Sequence, residues 1–351
     1  MTMELKELII SLCGIPSISG RERMGEDELD ALIGDVFDEH RSDAVGNQLF
    51  IKRCGKPNAP KILVDTHFDE IGMMVTGIKE GGFVSVTNLG GVDARVLPSG
   101  EVILYGKEPV YGVFAAKAPH LTPPSEWGKQ PALDSMLIDT GYDKEELEEL
   151  CPLGTPVGFK PVYRELANNR LAGKAFDDKA CGACAVMAID RVSREDLAAD
   201  VYFLFSSHEE TGMVGARTGA FGIRPDYALV IDVTHAAIPE IKDRYMPPCG
   251  SGVAVAVSPV TNRRLSEMTR ALCKDGGIPF TVEVCPGGTG TNANALNNNV
   301  DGIPTALCSL PIKSMHTSVE VLALEDAEAV TRLIEAFIKS KEIAEVFGNE
   351  A

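Results

Sequence analysis

Acidic and imidazole side chains come directly after four apolar segments of the sequence, at residues 62–64, 201–205, 227–231 and 305–310. A further acidic pair stands just before a run of small residues. These candidate ligands are His67, Asp69, Asp177, Asp178, His208, Glu209, Glu210, Asp232 and His316. Carboxylate and imidazole groups are the ligands that catalytic zinc and related divalent ions take in proteins. The pattern therefore indicates metal-assisted chemistry.

The charge of these groups sets a condition on the site that they would form. Two carboxylates ~4 Å apart repel one another by roughly 4 kcal/mol at an effective dielectric constant of 20. We find no cluster of Arg or Lys beside the motifs to offset this repulsion. Two divalent ions ~3.5–4 Å apart, joined by a bridging carboxylate, would offset it and form a recurrent hydrolase arrangement. Each motif alone is weak, since an acidic pair usually faces solvent, but five together indicate a site.

The elements that position these residues follow an α/β order at both ends of the chain. Strands are predicted at 48–52 and 61–66, and an alternation of strands and helices returns after about residue 166. The further predictions are strands at 201–207, 227–231, 252–258 and 305–310, and helices at 22–40, 178–193, 262–275 and 325–340. In open α/β sheets, functional groups collect beyond the carboxyl ends of the strands. Neighbouring strands would therefore bring the candidate ligands into one crevice.

Residues 73–165 have a different character from the rest of the chain. Short β-rich runs there are separated by Gly, Pro and polar turns, which is typical of a small antiparallel barrel or sandwich. We therefore predict a discontinuous α/β catalytic domain at 1–72 and 166–351, interrupted by an inserted β-rich domain at 73–165.

The bulk composition excludes several classes of protein. A net charge of -18 over 351 residues argues against a nucleic-acid partner, because nothing supplies a basic footprint for phosphate. No apolar stretch of about 18 residues predicts a membrane span. The N-terminal segment favours an amphipathic helix over a signal peptide, and nine scattered cysteines fit a reducing compartment. We therefore expect a cytoplasmic protein without a membrane partner.

Six segments, in order and spacing, resemble the M42 metallo-aminopeptidases, and the likeness covers essentially the whole chain. They are HFDEIG (67–72), KAFDDKACG (174–182), HEETGMVGA (208–216), IDVTHA (231–236), GGTGTNANA (287–295) and MHTSVE (315–320). The resemblance implies a catalytic domain with a doubly wound, mostly parallel sheet. It also implies that the inserted domain is a small PDZ-like β-barrel that mediates dimerisation or larger assembly, from dimers to dodecamers.

The same resemblance implies two divalent metal ions per subunit, with zinc expected and cobalt or manganese as alternatives. Carried over position by position, one ion would be held by His67, Asp177 and Asp232. The other would be held by Asp177, Glu210 and His316, with Asp177 as the bridge.

Two further residues receive roles from the resemblance. Glu209 would be the general base, and a water bridging the ions would attack the scissile carbonyl of a peptide. Asp69 would orient His67, as ligating imidazoles usually require. The bridging aspartate in such proteins commonly precedes a cis peptide, which here would join Asp177 to Asp178.

The chain departs from the family pattern at two positions. Asn292 stands where the family generally has Asp, which removes a negative charge close to the expected site. Lys179 stands where Arg is common, so the charge is kept without the guanidinium fork.

An aminopeptidase acting on peptides is thus the leading hypothesis. The alternatives are a related di-metal carboxypeptidase or N-deacylase with the same ligands, and an endoglucanase-labelled relative of the same family. A glycosidase needs only paired carboxylates, which would leave His67 and His316 without a role. A non-enzymatic alternative is a metal-stabilised assembly protein that has lost catalysis.

Overall fold

The computed structural model describes residues 3–126, 128–129, 132–239, 241 and 246–348. Its α-helices are α1 (Leu5–Gly14), α2 (Glu26–Ile33), α3 (Lys144–Leu150), α4 (Phe176–Arg191), α5 (Val214–Ile223), α6 (Arg263–Asp275), α7 (Ala293–Leu296), α8 (Leu324–Lys339) and α9 (Lys341–Phe347). The strands up to the midpoint are β1 (Glu39–Ser42), β2 (Gln48–Lys52), β3 (Lys61–His67), β4 (Gly72–Ile78), β5 (Val84–Leu89), β6 (Glu101–Tyr105), β7 (Pro109–Phe114), β8 (Ile138–Asp139) and β9 (Pro156–Phe159). The later strands are β10 (Arg164–Leu166), β11 (Arg170–Gly173), β12 (Asp200–Ser206), β13 (Tyr227–His235), β14 (Val253–Val257), β15 (Phe280–Val284), β16 (Thr305–Lys313) and β17 (Glu320–Ala323).

A large mixed sheet forms the centre of the fold. Its strand order is β1-β2-β12-β3-β13-β16-β17-β11-β10, and β14 pairs with β16 and with β15. The four central strands, β12, β3, β13 and β16, are mutually parallel, whereas the outer pairs of this path are antiparallel. The predicted α/β class with a mostly parallel central sheet is therefore confirmed.

Helices cover both faces of this sheet because its central strands are apolar on both sides. Successive side chains of a strand point to opposite faces. On β3, Ile62 and Val64 join the larger core, together with α1, α4 and α8, whereas Leu63 joins a second core together with α5 and α7. This arrangement leaves the ends of the strands as the place where polar groups gather.

The chain leaves the sheet after β3 and forms a closed barrel before it returns. The barrel order is β4-β5-β8-β7-β6-β9, and its neighbouring strands are antiparallel. Its interior is a separate apolar cluster to which Met73, Val84, Val102, Ile138 and Val157 belong. A β-rich module interrupting the α/β order is thus present. The domain boundaries given above, and the likeness to a PDZ domain, stay predictions.

The predicted helix at 22–40 is wrong in its second half. Helix α2 ends at Ile33, a single 3-10 turn follows, and β1 begins at Glu39. Phe37 turns onto the rings of Phe50 and Phe203, at centroid distances of 5.1 and 5.8 Å, so tertiary packing ends the helix. Within the described residues, no helix has the length and apolar character needed to cross a bilayer.

Candidate metal centre

The candidate ligands meet at the carboxyl ends of the four central strands. His67 is the last residue of β3 and stands in register with Ser206, the last residue of β12. Asp232 lies near the end of β13, directly beside Ser309 of β16. Because these strands are adjacent and parallel, the segments that follow them converge on one crevice, as the sequence predicts for this class of sheet.

Two overlapping groups of side chains in this crevice could each hold a metal ion. The buried group consists of His67, Asp177 and Asp232, and the rim group consists of Asp177, Glu210 and His316. Within each group the possible ligand atoms all lie within 4.8 Å of one another. Asp177 belongs to both groups. These are the same two sets that the family resemblance implies.

The two oxygens of Asp177 face different histidines. Its Oδ1 lies 3.0 Å from Nε2 of His67, and its Oδ2 lies 3.2 Å from Nε2 of His316. Nε2 of His316 is also 3.3 Å from Glu210, and Nε2 of His67 is 4.0 Å from Asp232. Asp177 therefore lies between the two histidines, with one oxygen towards each of them.

Burial and mutual repulsion perturb the proton affinities of these groups strongly. Burial raises the pKa of Asp232 to about 8 and that of Glu209 to about 9. Hydrogen bonds to Asp177 and Glu210 raise the pKa of His316 to about 11. Burial alone would lower the pKa of His67, but the hydrogen bond and charge of Asp177 outweigh it and raise that pKa well above its usual value.

The donor set fits divalent cations. Histidine nitrogens and carboxylate oxygens that converge in this number suit zinc and related ions. Asp177 is ionised, and its negative charge helps to raise the pKa of Asp232 and of Glu210. All three carboxylates can be ionised together only if positive charge is added to the crevice. Two buried lysines do lie behind the centre, Lys174 and Lys179, although no such cluster is expected from the sequence. Both pair with the buried carboxylate of Glu70, which takes up their charge, so they do not replace metal ions.

Glu209 stands beside both groups and belongs to neither. Its backbone N–H is fixed by a hydrogen bond to Asp69, whereas its buried Oε1 accepts no hydrogen bond from any residue that the structure describes. Buried polar atoms are rarely left without a partner, so Oε1 of Glu209 is available to a group bound in the crevice. This position agrees with the base that the resemblance implies.

Asp69 contacts more of the centre than the sequence predicts. Its backbone carbonyl accepts the hydrogen bond from Nδ1 of His67 at 2.8 Å, so the main chain makes the short orienting contact. Its carboxylate, 3.7 Å from the same nitrogen, accepts the backbone N–H groups of Glu209 and Glu210 at 2.9 and 3.1 Å. Asp69 therefore joins His67 to the segment that carries the base and a ligand.

Asp178 and its peptide bond also lie at the centre. The bond between Asp177 and Asp178 is cis, as the resemblance implies. The Asp178 carboxylate accepts the backbone N–H of His67 at 3.1 Å. Asp178 thus supports a ligand from behind and lies in neither of the two groups.

Sequence reasoning does not single out three residues that touch the ligands. Glu320 accepts backbone N–H groups beside Asp177 and His316. Gly90 and Gly91, in the loop after β5 of the barrel, approach so closely that a Cβ atom on them would lie 3.2 Å from Glu210 and 2.5 Å from His316. Glu320 could have been found from the sequence, because it belongs to the MHTSVE segment. A glycine pair in a β-rich region gives no sequence signal that it lies beside metal ligands.

The two departures from the family pattern lie behind the ligands. Asn292 is buried and donates to Asp65, two residues before His67 on β3, at 2.9 Å and to Ser206, beside His67 on β12, at 2.7 Å. Lys179 donates to the carbonyl of Ile15 and to Glu70. Both residues therefore support the elements that carry the ligands.

Comparison with known proteins assigns the family. The model of the M42 glutamyl aminopeptidase family matches residues 46–333. A lysyl aminopeptidase of Pyrococcus furiosus is 33% identical over 338 residues, which cover 95% of this chain and 96% of that protein. The solved structure of an aminopeptidase from Desulfurococcus kamchatkensis matches with a TM-score of 0.89 at 31% identity, and covers 98% of this chain and 97% of that one.

Two further solved structures bear on assembly and on the alternatives. A peptidase from Pyrococcus horikoshii, which can assemble into a tetrahedron or a large octahedral shell, matches with a TM-score of 0.83 at 29% identity, over 95% of this chain and 99% of that one. A structure from Thermotoga maritima that bears the name endoglucanase matches with a TM-score of 0.79 at 27% identity, over 98% and 99% of the two chains. By the extent of the family match and the agreement of the aminopeptidase relatives, the chain belongs to the M42 glutamyl aminopeptidase family and is a peptide hydrolase.

Proposed function

We propose that this chain is an aminopeptidase that works with two divalent metal ions, one held by the buried group and one by the rim group. The observation that carries the proposal is the position of Asp177, whose two oxygens face His67 and His316 separately. Each of these histidines belongs to a different group, and a carboxylate shared by two His-containing groups supports a pair of ions. Zinc suits the donor set, with cobalt or manganese as alternatives.

The residues of the chain divide the work around the ions. Two such ions, when bound, supply an activated water and stabilise the negative charge that develops on the scissile carbonyl. Glu209 takes up the proton released at the crevice and delivers it to the leaving amine, because its Oε1 is free and its backbone is fixed by Asp69. Asp69 and Asp178 hold His67 in place through its ring nitrogen and its backbone N–H.

Replacement of the base tests this assignment. Glu209→Gln keeps the size of the side chain and removes its proton affinity, so we expect turnover of aminoacyl chromogenic substrates to fall by about 10²–10⁴-fold. Metal content, measured by mass spectrometry of the purified protein, should stay the same as in wild type. The matched control is Glu283→Gln on β15, whose carboxylate accepts from Thr234 and contacts none of the ligands. Near-normal turnover by Glu209→Gln would end the assignment.

The related di-metal reactions are separated by the state of the substrate's N-terminus. An aminopeptidase should cleave a free peptide and reject its N-acetylated counterpart, whereas an N-deacylase should prefer the acetylated one. A carboxypeptidase would instead release the C-terminal residue of both. The endoglucanase name of the Thermotoga maritima structure would apply to this chain only if it cleaved cellulose in the presence of a chelator.

We also infer that the barrel is the inserted, PDZ-like domain at 73–165 through which copies of the chain assemble. The support is a separate apolar core in the barrel and the assembly of the Pyrococcus horikoshii peptidase into closed shells. Sedimentation of the full chain would distinguish a dimer from a dodecamer, and a purely monomeric protein would contradict the inference. All nine cysteines are free thiols, in keeping with the cytoplasmic location predicted from the sequence.

A further inference from the structure

Glu320 connects two ligand-bearing segments that are far apart in the sequence. One of its carboxylate oxygens, Oε1, accepts the backbone N–H of His316 at 3.0 Å. The other, Oε2, accepts the backbone N–H groups of Phe176 and Asp177 at 2.7 and 3.3 Å. Glu320 itself is only 2% exposed. Its described partners here are all backbone N–H donors, so both carboxylate oxygens act as acceptors.

The sheet explains why Glu320 can reach both segments. It is the first residue of β17, which pairs antiparallel with β11 on one side and with β16 on the other. Glu320 stands opposite Gly173, the last residue of β11, and the chain runs from there directly to Asp177. On the other side, β16 runs into the loop that carries His316. The carboxylate therefore sits between the exits of two strands that each deliver a ligand.

Both of these segments adopt a backbone conformation that L-residues seldom take. His316 has φ 62° and Ala175, two residues before Asp177, has φ 59°, so both lie in the left-handed region. Such residues persist where surrounding contacts hold the backbone in place. The backbone N–H groups of Phe176 and His316 donate hydrogen bonds to the Glu320 carboxyl group, and these bonds provide such contacts.

We propose that Glu320 is a positioning residue of the metal centre, whose carboxylate fixes the backbone of Asp177 and His316 so that the rim group is assembled before an ion arrives. This proposal rests on the proposed function, in which Asp177 and His316 are metal ligands. Glu320 belongs to neither group of possible ligands. It acts through the main chain of the ligands, and its removal should loosen the rim group more than the buried group, because His67 and Asp232 do not depend on it.

Glu320→Gln is the informative substitution, because the amide keeps the volume but offers one acceptor oxygen in place of two. Its NH₂ group would face backbone N–H donors, so the bond to His316 or the bonds to Phe176 and Asp177 must be lost. The matched control is Asp326→Asn on α8. Asp326 is also buried, and it accepts the backbone N–H groups of Gly250 and Gly252, neither of which adjoins a ligand.

Two measurements on the full chain test the proposal. After chelation, hydrogen exchange should be faster in Glu320→Gln than in wild type within residues 174–178 and 314–318, whereas Asp326→Asn should change exchange near Gly250. Titration with cobalt, followed by its visible absorption, should show the second ion binding about 10–100-fold more weakly in Glu320→Gln. Both ions should bind to Asp326→Asn as they do to wild type.

The outcomes separate this inference from the proposed function. If wild type binds two cobalt ions and cleaves peptides, and Glu320→Gln does the same with unchanged exchange and affinity, the inference is overturned and the function stands. If wild type itself fails to bind two ions, the proposed di-metal function is overturned first. Faster exchange with equal weakening in Asp326→Asn would assign Glu320 a general structural role and would overturn the inference.

Discussion

The buried group and the rim group share Asp177 but are built in different ways. His67 and Asp232 of the buried group lie on strands β3 and β13, and the side chain of His67 is 2% exposed. Glu210 and His316 of the rim group lie in loops that follow strands, and the side chain of His316 is 34% exposed. The parallel sheet thus positions one half of the centre, whereas loops position the other half.

The two groups also differ in what supports them from outside the sheet. Gly90 and Gly91 of the barrel lie against Glu210 and His316, so the inserted module reaches the rim group directly. The buried group is supported instead by Asp69 and Asp178 at the end of the sheet. We therefore expect changes in the barrel or in the loops to alter the rim group while the buried group remains formed.

Removal of each histidine should have very different effects on folding stability, and this is the largest difference we expect. In chelator-treated protein, His67→Ala removes the buried cation that pairs with Asp177 and should lower the free energy of unfolding by about 3–5 kcal/mol. His316→Ala removes a partner that is one-third exposed, and the loss should be about 0–1 kcal/mol. Urea denaturation followed by circular dichroism measures both values.

Measurement of peptidase activity is the control for the variants His67→Ala and His316→Ala. Both substitutions remove a ligand and should abolish most peptidase activity, so a difference in stability cannot be explained by a difference in activity. Equal losses of unfolding free energy in the two variants would show that the two halves are equally integrated with the core, contrary to the comparison.

Gly91→Ala tests whether the barrel controls the rim group. A Cβ atom at Gly91 would lie 2.5 Å from Nδ1 of His316, so the ring or the loop must move. Because displacement of a catalytic group by about 1 Å can cost about 10²-fold in rate, we expect turnover to fall by about 10–100-fold. Binding of the first metal ion should be unchanged, since the atoms nearest to the added Cβ belong to His316 of the rim group. Steady-state kinetics and metal titration measure the two effects.

Gly222→Ala is the control, because nothing lies within 4 Å of a Cβ at this position of helix α5. Alanine is favoured over glycine in a helix by up to about 1 kcal/mol, so the control should be as stable as wild type or more stable. If Gly91→Ala and Gly222→Ala had the same activity as wild type, the barrel loop would have no part in shaping the rim group.

The sequence predicts the buried half of the centre better than its surroundings, and the reason is topological. His67 and Asp232 follow apolar runs that must be buried strands, and parallel neighbours bring their ends together. The same reasoning fails where distant packing decides the structure. The apolar spacing at 22–40 continues beyond Ile33, but Phe37 packs onto Phe50 and the helix stops.

Hydrogen bonds to the main chain are the second feature that the sequence does not predict. The family resemblance implies that Asp69 orients the imidazole of His67, yet its carboxylate accepts hydrogen bonds from the backbone amides of Glu209 and Glu210. Backbone amides have no residue type, so a sequence pattern carries no signal for them. The contact of Gly91 with His316 is hidden for a similar reason, since it depends on how the barrel sits against the sheet.

Metal binding should release protons from both halves of the centre. Without ions, the charge of Asp177 raises the pKa of His67 well above its usual value, and hydrogen bonds to Asp177 and Glu210 raise that of His316 to about 11. Both rings therefore carry a proton at pH 7 that an ion must displace. Affinity for each ion should then rise by at least about tenfold per pH unit between pH 6 and 8, because at least one proton is exchanged for each ion.

Calorimetric titration of zinc into chelator-treated protein, in two buffers with different heats of ionisation, counts these protons. Wild type should release at least two protons for two ions, since burial also raises the pKa of Asp232 to about 8. His316→Ala should release one proton fewer and should keep the pH dependence of the first ion. A metal affinity that does not change between pH 6 and 8 would contradict this prediction. It would mean that neither His67 nor His316 carries a displaceable proton beside Asp177.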